Sequence, residues 1–279
     1  MLRKSVILGL VLLTVGYALV GCCRSEAMSE ATPTPLVAGK ITFAGSTTLQ
    51  PLAHELGEAF NAQYPDVELD IAAGGSVVGI QAVHDGTVDI GMASRALKPE
   101  EAEGIEQHQV AVDVIAVVVR VTNPVEDLTL EQLRAIYLGE ITNWREVGGE
   151  DQPIVAVVRG KNSGTRGAFD EIVLEKQEPA APEMYTAVTA GDMAVTVSEH
   201  AGAIGYVGFG NLESDLKMVS IDGVLPSEGT ARDGSYSLVR PLMFLTGPLT
   251  QPLAQAFIDF ALGDEGQQIV EHSGWVPVN

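Results

Sequence analysis

Beyond residue 39 the apolar positions follow two periods that take turns along the chain. KITFAG reads as a strand, and TLQPLAHELGEAFNAQY follows with Leu49, Leu52, Ala53, Leu56 and Phe60 at helical spacing. DVELDIAAG is strand-like, SVVGIQAVHDG helical and TVDIGMAS a strand again. Gln109 to Arg120, QVAVDVIAVVVR, is a β-branched run suited to a buried strand. This alternation predicts a parallel sheet covered by helices, an α/β fold.

After VTNPVED the pattern starts over. TLEQLRAIYLG predicts a short helix with Leu130, Leu133 and Tyr137 on one face, PIVAVVR a strand and GTRGAFDEIVLE a helix. GDMAVTVSEHAG is assigned to a helix despite its β-branched residues, and AIGYVGFG to a strand and turn. YSLVRPLMFLTG is a strand, and QPLAQAFIDFALGDEGQQIVEHSG is helical with a break at Gly263. No solenoid-like repeat is present. Two α/β lobes are the expectation, with any ligand beyond the carboxyl ends of the strands and between the lobes.

Four loops after strands share one character. AGSTTLQP carries Ser46, Thr47 and Thr48, AAGGSVVG carries Ser76, MASRAL carries Ser94 and Arg95, and RGKNSGTRG carries Arg159, Ser163, Gly164 and Thr165. Small hydroxyl residues and glycine before a helix let unsatisfied backbone N–H groups face an anion. One such loop is most often only a helix cap. Four of them, all following strands, point to one anion seat. Arg159 would aim a fork of donors at the same anion, whereas Arg166 reads as a solvated helix charge. Asp113 lies inside an apolar strand run, where a carboxylate needs a partner. An ion pair with Arg95 or Arg159 is one reading. Acceptance of the proton carried by a protonated oxyanion is the other, and sulfate has no such proton to give.

The nature of the anion is narrowed by what is missing. GGSVVGIQ lacks the Lys and Ser/Thr of a phosphate-binding P-loop, GKNSGTRG has its Lys out of register, and GFGNLE lacks the third Gly of a dinucleotide fingerprint. His54, His84, His108, His200 and His272 are scattered without metal-ligand spacing, and no GxSxG elbow occurs. No catalytic residue, metal or cofactor is expected. The formal charge of −21 over 279 residues argues against nucleic acid as a partner but says little about a small anion held by a few groups.

The N-terminus reads as a targeting segment. Arg3 and Lys4 precede the apolar run SVILGLVLLTVGYALV, and LVGC ends at Cys22. Residues 1–21 are assigned to a signal peptide, Cys22 to lipidation in a lipobox-like context, and residues 22–39 to a flexible tether. Both cysteines, Cys22 and Cys23, lie at this junction, so the body has no disulfide and no thiol chemistry.

Together these stretches resemble the PstS-like phosphate-binding lipoproteins of bacterial ABC transporters. The resemblance runs from about Ile41 to Val278 and rests on AGSTTLQPLAHELGEAF, GGSVVGIQAV, TVDIGMASRAL, YLGEITNW, VVRGKNSGTRGAF, AIGYV, RPLMFLT and FIDFALGDEGQQIV. It implies a two-lobed type II binding-protein fold with the anion in the cleft. Lobe 1 would span 40–119, completed by 237–279, and lobe 2 would span 120–236. Phosphate contacts are implied from Ser46, Thr47, Thr48, Ser76, Arg159, Ser163, Gly164 and Thr165. Long members carry an Asp where this chain has Arg95, which makes Asp113 the candidate for a displaced acceptor. Trp144 is read as packing. The implied partners are inorganic phosphate, a membrane-embedded ABC permease and the membrane through a lipid anchor, with the body a monomer outside the cytoplasm. Other readings are the same fold with sulfate, molybdate or tungstate, a surface phosphoryl hydrolase, and a sensor or adhesin on this scaffold.

Overall fold

The computed structural model describes residues 38–278; Cys22, Cys23, the leader and most of the tether lie outside the described residues. The first stretch contains β1 (Gly39–Gly45), α1 (Gln50–Gln63), β2 (Val67–Ala73), α2 (Ser76–His84), β3 (Ile90–Ala93) and β4 (Glu106–Arg120). Then come β5 (Asp127–Leu128), α3 (Leu130–Leu138), β6 (Val155–Arg159), α4 (Gly164–Ile172), β7 (Met184–Ala187), α5 (Ala190–Glu199), β8 (Ala203–Gly208), β9 (Leu216–Ile221) and α6 (Glu228–Arg232). The chain returns through β10 (Val239–Thr246), α7 (Pro252–Leu262) and α8 (Asp264–His272).

The strands follow the order β2-β1-β3-β10-β4-β8-β6-β7, with β9 paired to β4 and β5. At one end β1 runs parallel to β2 and β3, and at the other β6 runs parallel to β7 and β8. The centre is antiparallel, because β10 enters between β3 and β4. Strand β4 serves both halves: Glu106–Val114 pairs with β10, and Ile115–Arg120 with β8 and β9. A single long strand thereby ties together two bodies with separate cores. This is the two-lobed type II architecture.

One core gathers Phe43, Phe60, Phe244 and Phe257 beneath α1, α7 and α8. Phe257 meets Phe43 and Phe60 edge-on at centroid distances of 5.0 and 5.4 Å, the favoured aromatic geometry. The other core gathers Val114–Val119, Tyr137, Phe169 and Tyr206. There Phe169 stacks on Tyr206 at 4.0 Å. Trp144 is buried in this second core and donates from Nε1 to the Gly202 carbonyl at 2.9 Å, the packing role read from its sequence context.

Local signals fix the element ends. Thr129 and Gln132 form a reciprocal capping box at the start of α3, and Gly139 closes that helix in the left-handed region. Helix α5 forms despite its β-branched residues because Thr189 and Asp192 cap it and Met193, Ala194 and Val197 bury one face. The break expected at Gly263 separates α7 from α8. The pattern reading missed β5, β7, β9 and α6, and it began β4 at Gln109 where the strand starts at Glu106.

Candidate functional site

The β1–α1, β2–α2 and β6–α4 turns and the end of β3 lie at the carboxyl ends of their strands. There they meet. Thr48 Oγ1 lies 3.0 Å from Thr165 Oγ1 across the two halves. Ser76 Oγ accepts from the Ser94 N–H at 3.0 Å and lies 3.3 Å from Ser94 Oγ. The Val77 N–H donates to the Asn162 carbonyl at 3.2 Å. Glycine permits this approach: a Cβ on Gly164 would stand 2.1 Å from Ser76 Oγ and 2.6 Å from Ser94 Oγ. Ser46, Thr48, Ser76, Ser94, Ser163 and Thr165 are all buried, and Thr47 is half-buried.

Arg159 ends β6 and is 2% exposed, so its guanidinium is withdrawn from water. One amino group, Nη2, donates to Thr47 Oγ1 at 3.0 Å and to the Val188 carbonyl at 3.1 Å. Its buried Nε has no hydrogen-bond partner among the described residues. No carboxylate forms an ion pair with it among the described residues. Burial pulls the Arg159 guanidinium down to about 10, still charged at neutral pH. A buried cation with an unused N–H is an anion's complement.

Arg166 corrects the sequence reading. It is buried, donating to the Arg159 carbonyl at 3.1 Å, to both Asp170 oxygens at 2.6 Å and to Glu178 at 3.1 Å. It braces the turn that carries Ser163, whose Oγ accepts the Arg166 N–H and so caps α4.

Arg95 and Asp113 are each taken by partners not foreseen from the sequence. Both amino groups of Arg95 engage the Glu101 carboxylate, at 2.7 and 2.8 Å. Asp113 pairs with Arg240, not with Arg95 or Arg159. Nε and Nη2 of Arg240 donate to Asp113 Oδ2 at 2.8 and 2.5 Å, and the Phe209 N–H donates to Oδ1 at 2.9 Å. The two residues face each other in the register of β4 and β10, just where β4 changes neighbours. Burial pushes the Asp113 carboxyl up, against the pull of the Arg240 charge and hydrogen bonds. Arg240 also donates to the Ser94 carbonyl at 3.1 Å and reaches Thr48 Oγ1 at 3.5 Å. The sequence held a signal for Arg240: it interrupts an apolar strand run, as Asp113 does, and two buried charges of opposite sign call for each other.

Among the described residues no group of three or more His, Cys, Asp or Glu side chains could hold a metal, and no helix is long and apolar enough to cross a membrane.

Two α/β bodies joined through shared strands, with hydroxyl loops and a buried arginine where they meet, define a type II solute-binding protein. Residues 30–265 match the family model described as the PBP superfamily domain. The chain belongs to that superfamily and, within it, to the PstS-like phosphate-binding proteins. It is 35% identical over 247 residues to the phosphate-binding protein PstS of Bacillus subtilis (strain 168), covering 86% of this chain and 81% of that one. PstS of Pseudomonas aeruginosa (strain PAO1) is 30% identical over 295 residues, with 95% and 91% covered. A Clostridium perfringens structure described as a phosphate ABC transporter substrate-binding protein with bound phosphate superposes with a TM-score of 0.83. It is 37% identical, and the match covers 86% of this chain and 100% of that one.

Proposed function

We propose that the protein is an extracytoplasmic receptor that captures inorganic phosphate between its two lobes and hands it to an ABC permease. The observation that carries this reading is Arg159, a buried guanidinium with an unpartnered Nε beside the hydroxyl loops. The kinship with PstS proteins makes the anion phosphate. Ser46, Thr47, Thr48, Ser76, Ser94, Ser163, Gly164 and Thr165 supply hydroxyl and backbone donors. Arg95 and Asp113 border the anion while held by their own partners. The lobe boundaries expected at residues 119 and 237 shift to about Asp113 and Arg240, because Val114–Val119, Leu238 and Val239 pack in the second core. Anion contacts from both lobes favour the closed arrangement over an open one.

Calorimetric titration of residues 22–279 with phosphate, then sulfate, tests the cargo. Saturable phosphate binding with weaker sulfate binding is the expected result; absence of phosphate binding would sink the reading. We also propose that Cys22 carries a lipid that holds a monomeric body to the membrane. Radiolabelled fatty acid should enter the full chain and not its Cys22→Ala variant. Equal labelling of the two would remove the anchor.

A further inference from the structure

We propose that Asp113 sets the anion selectivity of this site through Arg240, by cancelling one of two guanidinium charges behind the hydroxyl loops, and does not itself take a proton from the ligand. The inference rests on the oxyanion reading above.

Arg240 stands one hydroxyl behind the meeting point of the two halves. Its Nη2 reaches Thr48 Oγ1 at 3.5 Å, and Thr48 Oγ1 lies 3.0 Å from Thr165 Oγ1. Its charge is felt at Arg159, where after burial it helps hold the guanidinium's proton affinity down. Asp113 has little room left as an acceptor. Two Arg240 N–H groups occupy Oδ2 and the Phe209 N–H occupies Oδ1. An ionised carboxylate offers about four lone-pair positions, so three are taken and at most one, on Oδ1, is left for a ligand P–OH.

The hydroxyls around the seat are already accepting N–H bonds. Thr47 Oγ1 accepts from Arg159 and from the Ala190 N–H at 3.3 Å, Ser76 Oγ from Ser94, and Ser163 Oγ from Arg166. Each keeps its proton to give, so the cradle offers mainly donors. Among tetrahedral oxyanions a donor cradle discriminates chiefly by charge. With Arg240 cancelled by Asp113, Arg159 supplies the one uncompensated charge. Adding a second would favour a dianion twice as strongly as a monoanion. Sulfate is wholly dianionic near neutrality, whereas phosphate is a mixture.

The test is calorimetric titration of phosphate and sulfate into residues 22–279 as wild type, Asp113→Asn, Arg240→Gln and the double variant, with thermal unfolding of each. Asp113→Asn should tighten sulfate by about tenfold, tighten phosphate by less, and steepen the salt dependence. Arg240→Gln should weaken both anions by about tenfold or more, and the double variant should return to within about threefold of wild type. If Arg240→Gln does not fold, the sign of the Asp113→Asn effect still decides. A merely structural pair would weaken both anions in every variant, and that result overturns the inference. So does weaker phosphate binding by Asp113→Asn, the mark of direct proton acceptance. Wild type that binds neither anion sinks the oxyanion reading itself. Wild type that binds phosphate while Asp113→Asn weakens it sinks only the role given to Arg240.

Discussion

Arg159 and Arg240 are both buried guanidiniums on strands of one sheet, and they are satisfied in opposite ways. Arg240 gives two N–H groups to a carboxylate and others to Ser94 and Thr48. Arg159 touches only neutral oxygens and keeps a buried Nε without a partner among the described residues. A desolvated charge is costly unless paired. The paired arginine therefore belongs to the fold's own energetics, while the unpaired one is a cost that an anion would remove under the proposed function. Burial is the same for both, so burial alone does not single out the proposed binding residue. The partner set does.

The comparison breaks most directly on stability. Arg240→Gln strands the Asp113 carboxylate in a buried site and should cost about 3–5 kcal/mol, read by urea unfolding. Arg159→Met removes an unpaired buried charge and should change stability by no more than about 1 kcal/mol. Equal losses in the two variants would erase the distinction. On phosphate affinity Arg159→Met should lose about 3 kcal/mol, roughly two powers of ten by calorimetry. Retention of wild-type affinity would remove Arg159 from the site.

Gly164→Ala sharpens the comparison by leaving both arginines in place. Its Cβ would collide with Ser76 Oγ and Ser94 Oγ, so the two halves could not meet as they do. Phosphate affinity should fall by about 1–3 kcal/mol with little change in unfolding free energy. Unchanged affinity would mean that the anion is held by one half alone.

Much of this was legible in the sequence because the signals are local. The post-strand hydroxyl loops, the break at Gly263 and the capped α5 each depend on residues a few positions apart. What stayed hidden depends on pairing at long range. Asp113 and Arg240 are 127 positions apart, and their partnership follows from β10 entering the sheet between β3 and β4. Arg166 looked like an ordinary helix charge because, beside the i,i+4 partner Asp170, its other acceptors, the Arg159 carbonyl and Glu178, lie in flanking segments brought over it by the fold. Strands β7 and β9 escaped notice because their partly exposed positions break the apolar pattern that betrays a buried strand.

A third arginine gives the smallest effect and the finest test. Arg95 is paired like Arg240 but near the surface, its partner Glu101 having a side chain 19% exposed. Burial works to push Glu101 up, yet the Arg95 hydrogen bonds, the Lys98 N–H and the Arg95 charge outweigh it and hold the carboxyl below its ordinary 4.5. The sign follows: a depressed folded value gives stability that is present above the unfolded value and lost as pH falls through the folded one. Solvent screening keeps this to about 0.5–1 kcal/mol. The unfolding free-energy difference between wild type and Glu101→Gln should be positive at pH 7 and shrink as pH drops below 4.5. A difference that stays constant would assign Glu101 a steric role. The same variant frees the Arg95 fork. On the proposal that the fork borders the anion without touching it, phosphate affinity should then stay within about threefold of wild type. A rise of about tenfold would mean that the released guanidinium reaches the ligand, and that Glu101 restrains Arg95 as Asp113 restrains Arg240.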